Sequence, residues 1–444
     1  MELKGKKVLV LGLARTGGEC ARFLAEQGAL VLVTDRQSEP ELKHEMEGLA
    51  KLSIRYFLGG EDPNWLRGVD LVVPSPGVPA ENSLLREANR RGIRILSEID
   101  LAYPFLQMPL IAITGTNGKS TTTTLLGEMF KAKGVKVFVG GNIGTPLISF
   151  VSGDWEWGVV EISSFQLEWT KAFRPRIALL LNLTEDHLDR HRDFAGYRRA
   201  KERIFAAQTE QDVAVLNRDD PWVWEIRKRI RARVISFGFS EVEAGVFAAA
   251  DEIVWRNGST EEKFPLERVK IQGVHNLENL MAAIAGAKSA GITAPVIQSV
   301  LEQFPGLEHR LEFVREKDGV RYYNDSKGTN VGAVVKSLAS FSGPVILLAG
   351  GVDKGGDYGA LRTEIHRKVR RLVLFGQAKD IIAQALGDLT ETVTVENLEG
   401  AVRDSFAHAQ PGDVVLLSPA CSSFDMFRNY AERGRIFKNL VQAL

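Results

Sequence analysis

Cysteine is nearly absent from this chain. Cys20 and Cys421 are the only two in 444 residues. That is too few for a disulfide framework and points to a reducing, cytoplasmic compartment. No apolar run approaches the roughly 20 residues that a membrane-spanning helix requires. Met1-Glu-Leu-Lys-Gly-Lys-Lys7 leads straight into a strand pattern and lacks the apolar core of a signal peptide. Net charge is missing too. Lys plus Arg and Asp plus Glu each number 56, so no bulk attraction to nucleic acid or to a membrane surface is expected. Low-complexity tracts and internal repeats are absent. What remains is an ordinary globular composition, 44% hydrophobic and 25% charged. The length accommodates about two to four domains.

Against that background one stretch stands out, Ile111-Ala-Ile-Thr-Gly-Thr-Asn-Gly-Lys-Ser-Thr-Thr-Thr-Thr124. An apolar run that reads as a buried strand precedes it. Leu125, Leu126, Met129 and Phe130 follow at helical spacing. Gly115, Thr116, Asn117 and Gly118 therefore form a tight turn between strand and helix, where glycine lets backbone N–H groups approach a ligand. The helix N-terminus adds partial positive charge and Lys119 a full one, which makes a cradle for nucleotide phosphates. Ser120 or Thr121 can place a hydroxyl on Mg²⁺. The standard P-loop spacing wants a further glycine at position 113, where Ile113 stands, so the loop is a shortened variant.

Ahead of this loop, Lys7–Leu13 reads as a strand, Arg15 to Gly28 as a helix and Ala29–Asp35 as a second strand ending in an acid. This is a βαβ unit of the dinucleotide-binding type. Its glycine fingerprint is incomplete: counted from Gly12, the second glycine falls on Ala14. A nucleotide-type ligand held at the C-terminal ends of these strands fits better than NAD. Asp35 is either part of that site or a cap or loop acid. Val69–Ser75 is a further strand feeding the Pro76-Gly77 turn, and Ile93–Leu96 closes the first unit, with a crossover from Ser97 to Met108.

After the loop, strands are expected at Lys136–Val139, Gly158–Ile162, Arg176–Leu183, Val213–Asn217 and Val234–Phe237, then a β-rich insertion from about Val242 to Gln272. Glu161 ends a buried run, where open α/β sheets place ligands. His187 follows the next strand; it is either a cation ligand or a hydrogen-bonded structural histidine. Asn276 and Asn279 open a helix rich in small residues, Met281 to Ala290, as caps or as readers of a base edge. Beyond Pro305-Gly306 a hairpin around Asp318-Gly319 is expected, then a polar loop Asn324–Asn330 and buried parallel strands at Pro344–Gly351, Arg371–Gly376 and Asp413–Ser418. The fold class is α/β in three domains: residues 1–96 Rossmann-like, residues 97–305 a central P-loop mononucleotide-binding domain, and residues 306–444 Rossmann-like again.

Three ligand-binding units around one P-loop suggest ATP-dependent joining of two substrates. The motifs Gly115–Thr121, Glu161-Ile-Ser-Ser-Phe-Gln-Leu-Glu168, Asn182-Leu-Thr-Glu-Asp-His-Leu-Asp-Arg190 and Asn324-Asp-Ser-Lys327 resemble those of the Mur ligases. Ser418-Pro-Ala-Cys-Ser-Ser-Phe-Asp-Met-Phe-Arg-Asn-Tyr430 is similar to the D-glutamate-adding members. The resemblance spans essentially the whole chain, in order. It implies a cytoplasmic, monomeric peptidoglycan-synthesis enzyme that joins UDP-N-acetylmuramoyl-L-alanine to D-glutamate through an acyl phosphate, with ATP and two Mg²⁺ and with no nucleic-acid or membrane partner. Folylpolyglutamate synthetase is the runner-up within the superfamily, disfavoured because its P-loop lies close to its N-terminus. A P-loop NTPase switch is the alternative from another class.

The resemblance also implies roles. Lys119 falls on the catalytic lysine, Ser120 or Thr121 and Glu161 on metal and phosphate positions, and His187 on the second-metal position. Gly115, Thr116, Asn117 and Gly118 form the ATP loop. Asn276 and Asn279 match the adenine pair, and Arg310 and Asp325 lie near phosphate and ribose. Ala14, Arg15, Thr16, Asp35 and Arg36 fall where the first domain holds UDP, and Asn142 on a substrate contact. Lys327, Thr329, Lys354, Ser423 and Phe424 match the D-glutamate pocket. Other members often carry Gly-Leu-Thr-Gly where this chain has Ala14-Arg-Thr-Gly17. Lys201 lies in the amphipathic stretch Phe194–Phe205 among Arg198, Arg199 and Arg203. Read from its neighbours alone it belongs to a solvated basic face. The resemblance makes it a carbamylated lysine that supports the second metal, its pKa expected to be lowered by those three arginines.

Overall fold

The computed structural model describes residues 1–271 and 273–444; Gln272, the last residue of the expected β-rich insertion, lies outside the described residues. Three sheets follow one another along the chain. In the first, the strand order is Ile54–Leu58, Leu30–Asp35, Lys7–Leu11, Leu71–Pro74, Arg94–Ile95, all parallel. The second has nine strands: Thr260–Pro265, Glu252–Asn257, Ala244–Ala249, Arg233–Gly238, Val213–Asn217, Ile177–Leu180, Leu110–Thr114, Trp157–Glu161, Val137–Gly141. Its first two strand pairs are antiparallel and form the β-rich insertion; the remaining pairs are parallel. The third runs Glu312–Lys317, Val320–Asn324, Val414–Leu417, Val345–Gly350, Val369–Phe375, Glu391–Thr394, with the expected hairpin at its edge.

The central strands bury both faces, as parallel strands covered by helices must: Leu110–Thr114 and Val345–Gly350 are buried throughout. Two parallel edge strands, Ile54–Leu58 and Glu391–Thr394, were not expected from sequence. Both are partly buried and interrupted by polar residues, so neither carries the continuous apolar run that marks its neighbours. The helix carrying Asn276 and Asn279 begins at Val274, earlier than its apolar periodicity suggests.

The incomplete fingerprint of the first unit has a clear geometry. A Cβ at Gly17 would lie 1.8 Å from the Gly12 carbonyl oxygen. The helix Arg15–Glu26 thus packs directly on the first strand, the role of the third fingerprint glycine.

The crossover from the first sheet to the second is a short buried helix, Glu98–Ala102. Ile99, Leu101 and Ala102 belong to one hydrophobic cluster that also takes in Val8 and Leu24 of the first unit and Leu110 and Phe138 of the second. The second and third sheets meet differently, through polar contacts around the phosphate loop described next.

Candidate active site

The strand Leu110–Thr114 delivers the chain into the phosphate loop. Gly118 has φ 84°, and a Cβ there would stand 2.1 Å from Asn279 Oδ1; only glycine fits. The end of the neighbouring strand fixes the loop. Thr116 N donates to Asn182 O at 3.0 Å, Asn117 N to Asn182 Oδ1 at 2.8 Å and Thr116 Oγ1 to Thr184 O at 3.1 Å. Lys119 opens the helix Lys119–Ala132. Its ammonium curls back to donate to the Gly115 and Thr116 carbonyls, each at 2.9 Å. Burial lowers its pKa; Glu161 opposes that and Arg310 reinforces it.

Beside the loop the carboxylate of Glu161, 2% exposed, accepts from Ser120 Oγ at 2.6 Å and from Asn142 Nδ2 at 2.7 Å. Arg310 Nη2 in turn donates to Ser120 Oγ at 2.7 Å. Ser120, Asn142, Glu161, His187 and Lys201 line one cavity of about 240 Å³, together with Lys327, Thr329, Asn330 and Lys354 from beyond the second sheet. Thr121 faces the adjoining cavities instead, so Ser120 is the hydroxyl beside Glu161. His187 sits at φ 54°, against the Phe165 ring at 4.8 Å between centroids. Burial holds its pKa below the usual value, with Asp186 opposing.

Lys201 is not on a solvated face. It is 2% exposed, donates to Gly115 O at 2.8 Å and stands 4.7 Å from the Tyr197 ring centroid. Burial depresses its pKa well below the usual value, and the next contribution is the charge of Lys119. The three arginines expected to do this point elsewhere. Arg198 pairs with Glu202 and Glu225 and Arg203 donates to Thr170 O, while Arg199 is not among the causes.

A second, smaller cavity of about 60 Å³ adjoins the first, lined by Gly118, Asn276, Asn279, Arg310, Asp325 and Lys336, among others. Asp325 accepts from Ser418 Oγ at 2.7 Å and Ser337 Oγ at 2.8 Å; burial pushes its pKa up to about 6 despite these bonds. Lys327, 3.9 Å from the Tyr430 ring centroid, is pushed down to about 7 by burial, with Arg310 and Lys119 adding to it.

Two expected contacts stand apart from this cluster. Ser423 is buried, Phe424 is 73% exposed, and neither lines the cavity that holds Lys327, Thr329 and Lys354. In the first unit, Asp35 and Arg36 line a cleft of about 170 Å³ with Gly12, Glu61, Gly77 and Val78. Asp35 accepts from Leu13 N at 2.8 Å and Gln37 N at 3.0 Å, and Arg36 pairs with Glu61 at 2.6 Å. Ala14 and Arg15 are exposed and Thr16 half-buried at the adjacent helix start, outside the cleft lining.

Two site residues were not singled out from sequence. Asp186 faces Lys354 at 3.4 Å and Asn330 Nδ2 at 3.3 Å. Its burial is outweighed by the charges of Lys354, His187 and Lys119, which hold its pKa below the usual range. Asn330 also reaches Asn117 Oδ1 at 3.5 Å. Their signal was position, since both lie inside motifs at strand ends.

The donor set fits one Mg²⁺ directly. A serine hydroxyl and a carboxylate 2.6 Å apart beside a phosphate loop are the hard oxygen ligands that ion takes. No cluster of three or more His, Cys, Asp or Glu side chains suited to a metal occurs among the described residues. Near His187 the Asp186 carboxylate stands 3.7 Å from Nε2, while Lys201 as an ammonium adds no oxygen donor.

A phosphate loop in a three-sheet α/β chain, with a carboxylate beside it and cations facing it from the third unit, defines an ATP-dependent ligase. Residues 6–97 match the Mur ligase MurD-like N-terminal domain, 113–287 the Mur ligase middle domain and 309–421 the Mur ligase glutamate ligase domain. The chain belongs to the Mur ligase family. Among curated relatives, proteins named UDP-N-acetylmuramoylalanine--D-glutamate ligase from Geobacter metallireducens and Trichlorobacter lovleyi are 52% and 50% identical, over 100% of this chain and 99% and 100% of theirs. In fold it is similar to a pseudomurein peptide ligase type C from Methanothermus fervidus, with TM-score 0.64, 19% identity and coverage of 99% of this chain and 100% of the other. It is also similar to MurF ligase from Thermotoga maritima in complex with ADP, with TM-score 0.61, 17% identity and full coverage of both.

Proposed function

We propose that the chain adds D-glutamate to UDP-N-acetylmuramoyl-L-alanine, a cytoplasmic step of peptidoglycan synthesis. The observation that carries this reading is the single cavity in which the phosphate-loop residues Lys119 and Ser120 meet Asn142, His187, Lys327 and Lys354. It lets a carboxylate, a γ-phosphate and an anionic amino acid meet. The identity of the amino acid is supported by the names of the half-identical relatives.

A carboxylate resists attack by an amine because an oxide would have to leave. Here a carboxylate oxygen of the alanyl group attacks the γ-phosphorus, its bond to ADP breaks, and an acyl phosphate forms. The neutral amine of D-glutamate then attacks the acyl carbon, the C–O bond breaks with its electron pair leaving on inorganic phosphate, and the nitrogen gives up one proton as the amide forms. Lys119 binds the β- and γ-phosphates as charge spreads over the transferred group. Asn276 and Asn279 hold the adenine end, with Arg310 and Asp325 toward phosphate and ribose. Asp35 and Arg36 hold the UDP end beside Ala14–Thr16. Lys327, Thr329 and Lys354 bind the amino-acid carboxylates, with Ser423 and Phe424 at the outer margin. Ser120 and Glu161 would hold one Mg²⁺, and His187 with a carbamate on Lys201 a second; bound Mg²⁺ neutralises phosphate charge. The working units are residues 1–96, 97–305 and 306–444, in a monomer without nucleic-acid or membrane partners.

The test is phosphate release with UDP-N-acetylmuramoyl-L-alanine and each of D-glutamate, L-glutamate and L-lysine. Release coupled to amide formation is expected with D-glutamate alone, because a cationic amino acid meets Lys327 and Lys354 as like charge. Comparable turnover with L-lysine or L-glutamate would falsify the assignment. Hydrolysis needing no amino acid would favour an NTPase switch.

A further inference from the structure

Arg190 closes the motif that carries His187, yet no step above uses it. Its side chain is 10% exposed and its partner Glu168 14%. The pair is bidentate, Nε to Oε1 at 3.0 Å and Nη2 to Oε2 at 2.6 Å. The same guanidinium crosses to the first unit. Nη2 donates to Val78 O at 2.7 Å and reaches Pro76 O at 3.5 Å, while Nη1 donates to Gly77 O at 3.4 Å. Pro76–Val78 is the turn after the strand Leu71–Pro74, closed by Val78 N on Ser75 O at 2.9 Å. Gly77 and Val78 line the nucleotide cleft.

The other side of Arg190 looks toward the phosphate site. Its guanidinium carbon lies 5.0 Å from the Phe165 ring centroid, and the His187 ring also packs on Phe165, at 4.8 Å between centroids. Glu168 also faces His191 at 3.5 Å. One planar, permanently charged fork thus touches the wall of the nucleotide cleft, the helix after Glu161 and the ring beside His187. Arginine alone among the cations supplies several directed donors in a fixed plane.

We infer that Arg190 is a positioning residue that holds the Pro76–Val78 turn, and with it the nucleotide end of the substrate, in register with the phosphate loop. The inference rests on the proposed function, in which one substrate spans the cleft and the cavity. Its nucleotide is anchored at one end and its carboxylate must meet the γ-phosphate at the other. Misplacement by about 1 Å costs a reaction on the order of 100-fold. A loosened turn therefore displaces the carboxylate while leaving ATP bound normally.

The experiment compares Arg190→Ala, Arg190→Lys and Glu168→Gln with the unaltered enzyme. For Arg190→Ala, kcat/KM for UDP-N-acetylmuramoyl-L-alanine should fall about 100-fold with KM for ATP unchanged. Deuterium exchange at the amides of Ser75, Gly77 and Val78 should accelerate. Arg190→Lys should behave alike, since lysine restores the charge but not the fork, and Glu168→Gln should lie between. Arg192 makes an exposed pair with Glu81 across the same boundary, at 2.9 Å and 80% exposed; Arg192→Gln should match the unaltered enzyme. An equal rise in KM for ATP, or wild-type kinetics and exchange in Arg190→Ala, would overturn the inference. Should Arg190→Ala fail to fold, Glu168→Gln and Arg190→Lys carry the same test. If the unaltered enzyme does not use this substrate, the proposed function fails, and the exchange comparison still decides the role of Arg190.

Discussion

A buried lysine without a carboxylate partner is costly as an ammonium. Lys201 meets that description: 2% exposed, hydrogen-bonded to one carbonyl, and repelled by Lys119. The depressed pKa keeps its nitrogen nucleophilic. That nitrogen can attack the carbon of CO₂, forming an N–C bond as one C=O π pair moves to oxygen and a proton leaves. The product turns a repelled cation into an anion with two oxygen donors, the hard ligands that a Mg²⁺ would take. After incubation with ¹³C-bicarbonate, the protein should show a carbamate carbon signal that Lys201→Ala lacks. The variant should lose activity about 100-fold, the scale of lost metal support, with partial recovery on adding a small carboxylic acid. Identical spectra, or full activity in the variant, would reject the carbamate. The family resemblance singled out Lys201, but residue spacing could not show that it is buried. Helical spacing placed Lys201 among arginines, but which face is buried depends on Gly115 and Tyr197, brought there by the fold.

At the scale of elements, what was legible was where strands end. Glu161 ends one buried apolar run and His187 follows another, Lys327 follows the polar-interrupted strand Val320–Asn324, and parallel sheets gather such ends at one edge. That reasoning located the site and missed what a run does not mark: the edge strands, Asp186 and Asn330 as partners across units, and the buried helix Glu98–Ala102 inside the expected crossover. The crossover conceals a titratable switch of stability. Glu98, 1% exposed, accepts from Ile148 N at 2.7 Å, and its Oε2 has no hydrogen-bond partner. Burial raises its pKa from 4.5 to about 7, with the amides of Ile148 and Leu147 opposing. The folded protein therefore holds this proton more tightly than the unfolded chain. The stabilisation is complete below pH 4.5 and is lost as pH rises through 7. Glu98→Gln, which keeps the neutral shape, should flatten the dependence of unfolding free energy between those values, by on the order of 3 kcal/mol. Chemical denaturation at several pH values measures it; an unchanged slope would mean that the carboxyl is relieved by water or movement.

The two joints of the whole molecule differ in kind. The first is apolar and shares one core through Ile99 and Leu101, so the crossover from Ser97 is packed in place there. The second is polar: Arg310 to Ser120 at 2.7 Å, Lys354 to Asp186 at 3.4 Å, Asn330 to Asp186 at 3.3 Å, and Lys336 to Glu278 at 2.5 Å. Pairs of this kind contribute about 1 kcal/mol or less each where solvent reaches them, and polar interfaces leave domains free to move. Every one of these contacts borders a ligand cavity. ATP and the amino acid would thus supply the binding energy that keeps the third unit against the second, and their reacting atoms must come within about 3–3.5 Å. Movement should concentrate at Pro305–Gly306, where Gly306 has φ 89°. Small-angle scattering should show a smaller radius of gyration with an ATP analogue and both substrates than without them. Lys336→Glu, placing like charge against Glu278, should raise the ligand concentration needed for that compaction. A radius that is the same with and without ligands would show the second joint to be as fixed as the first.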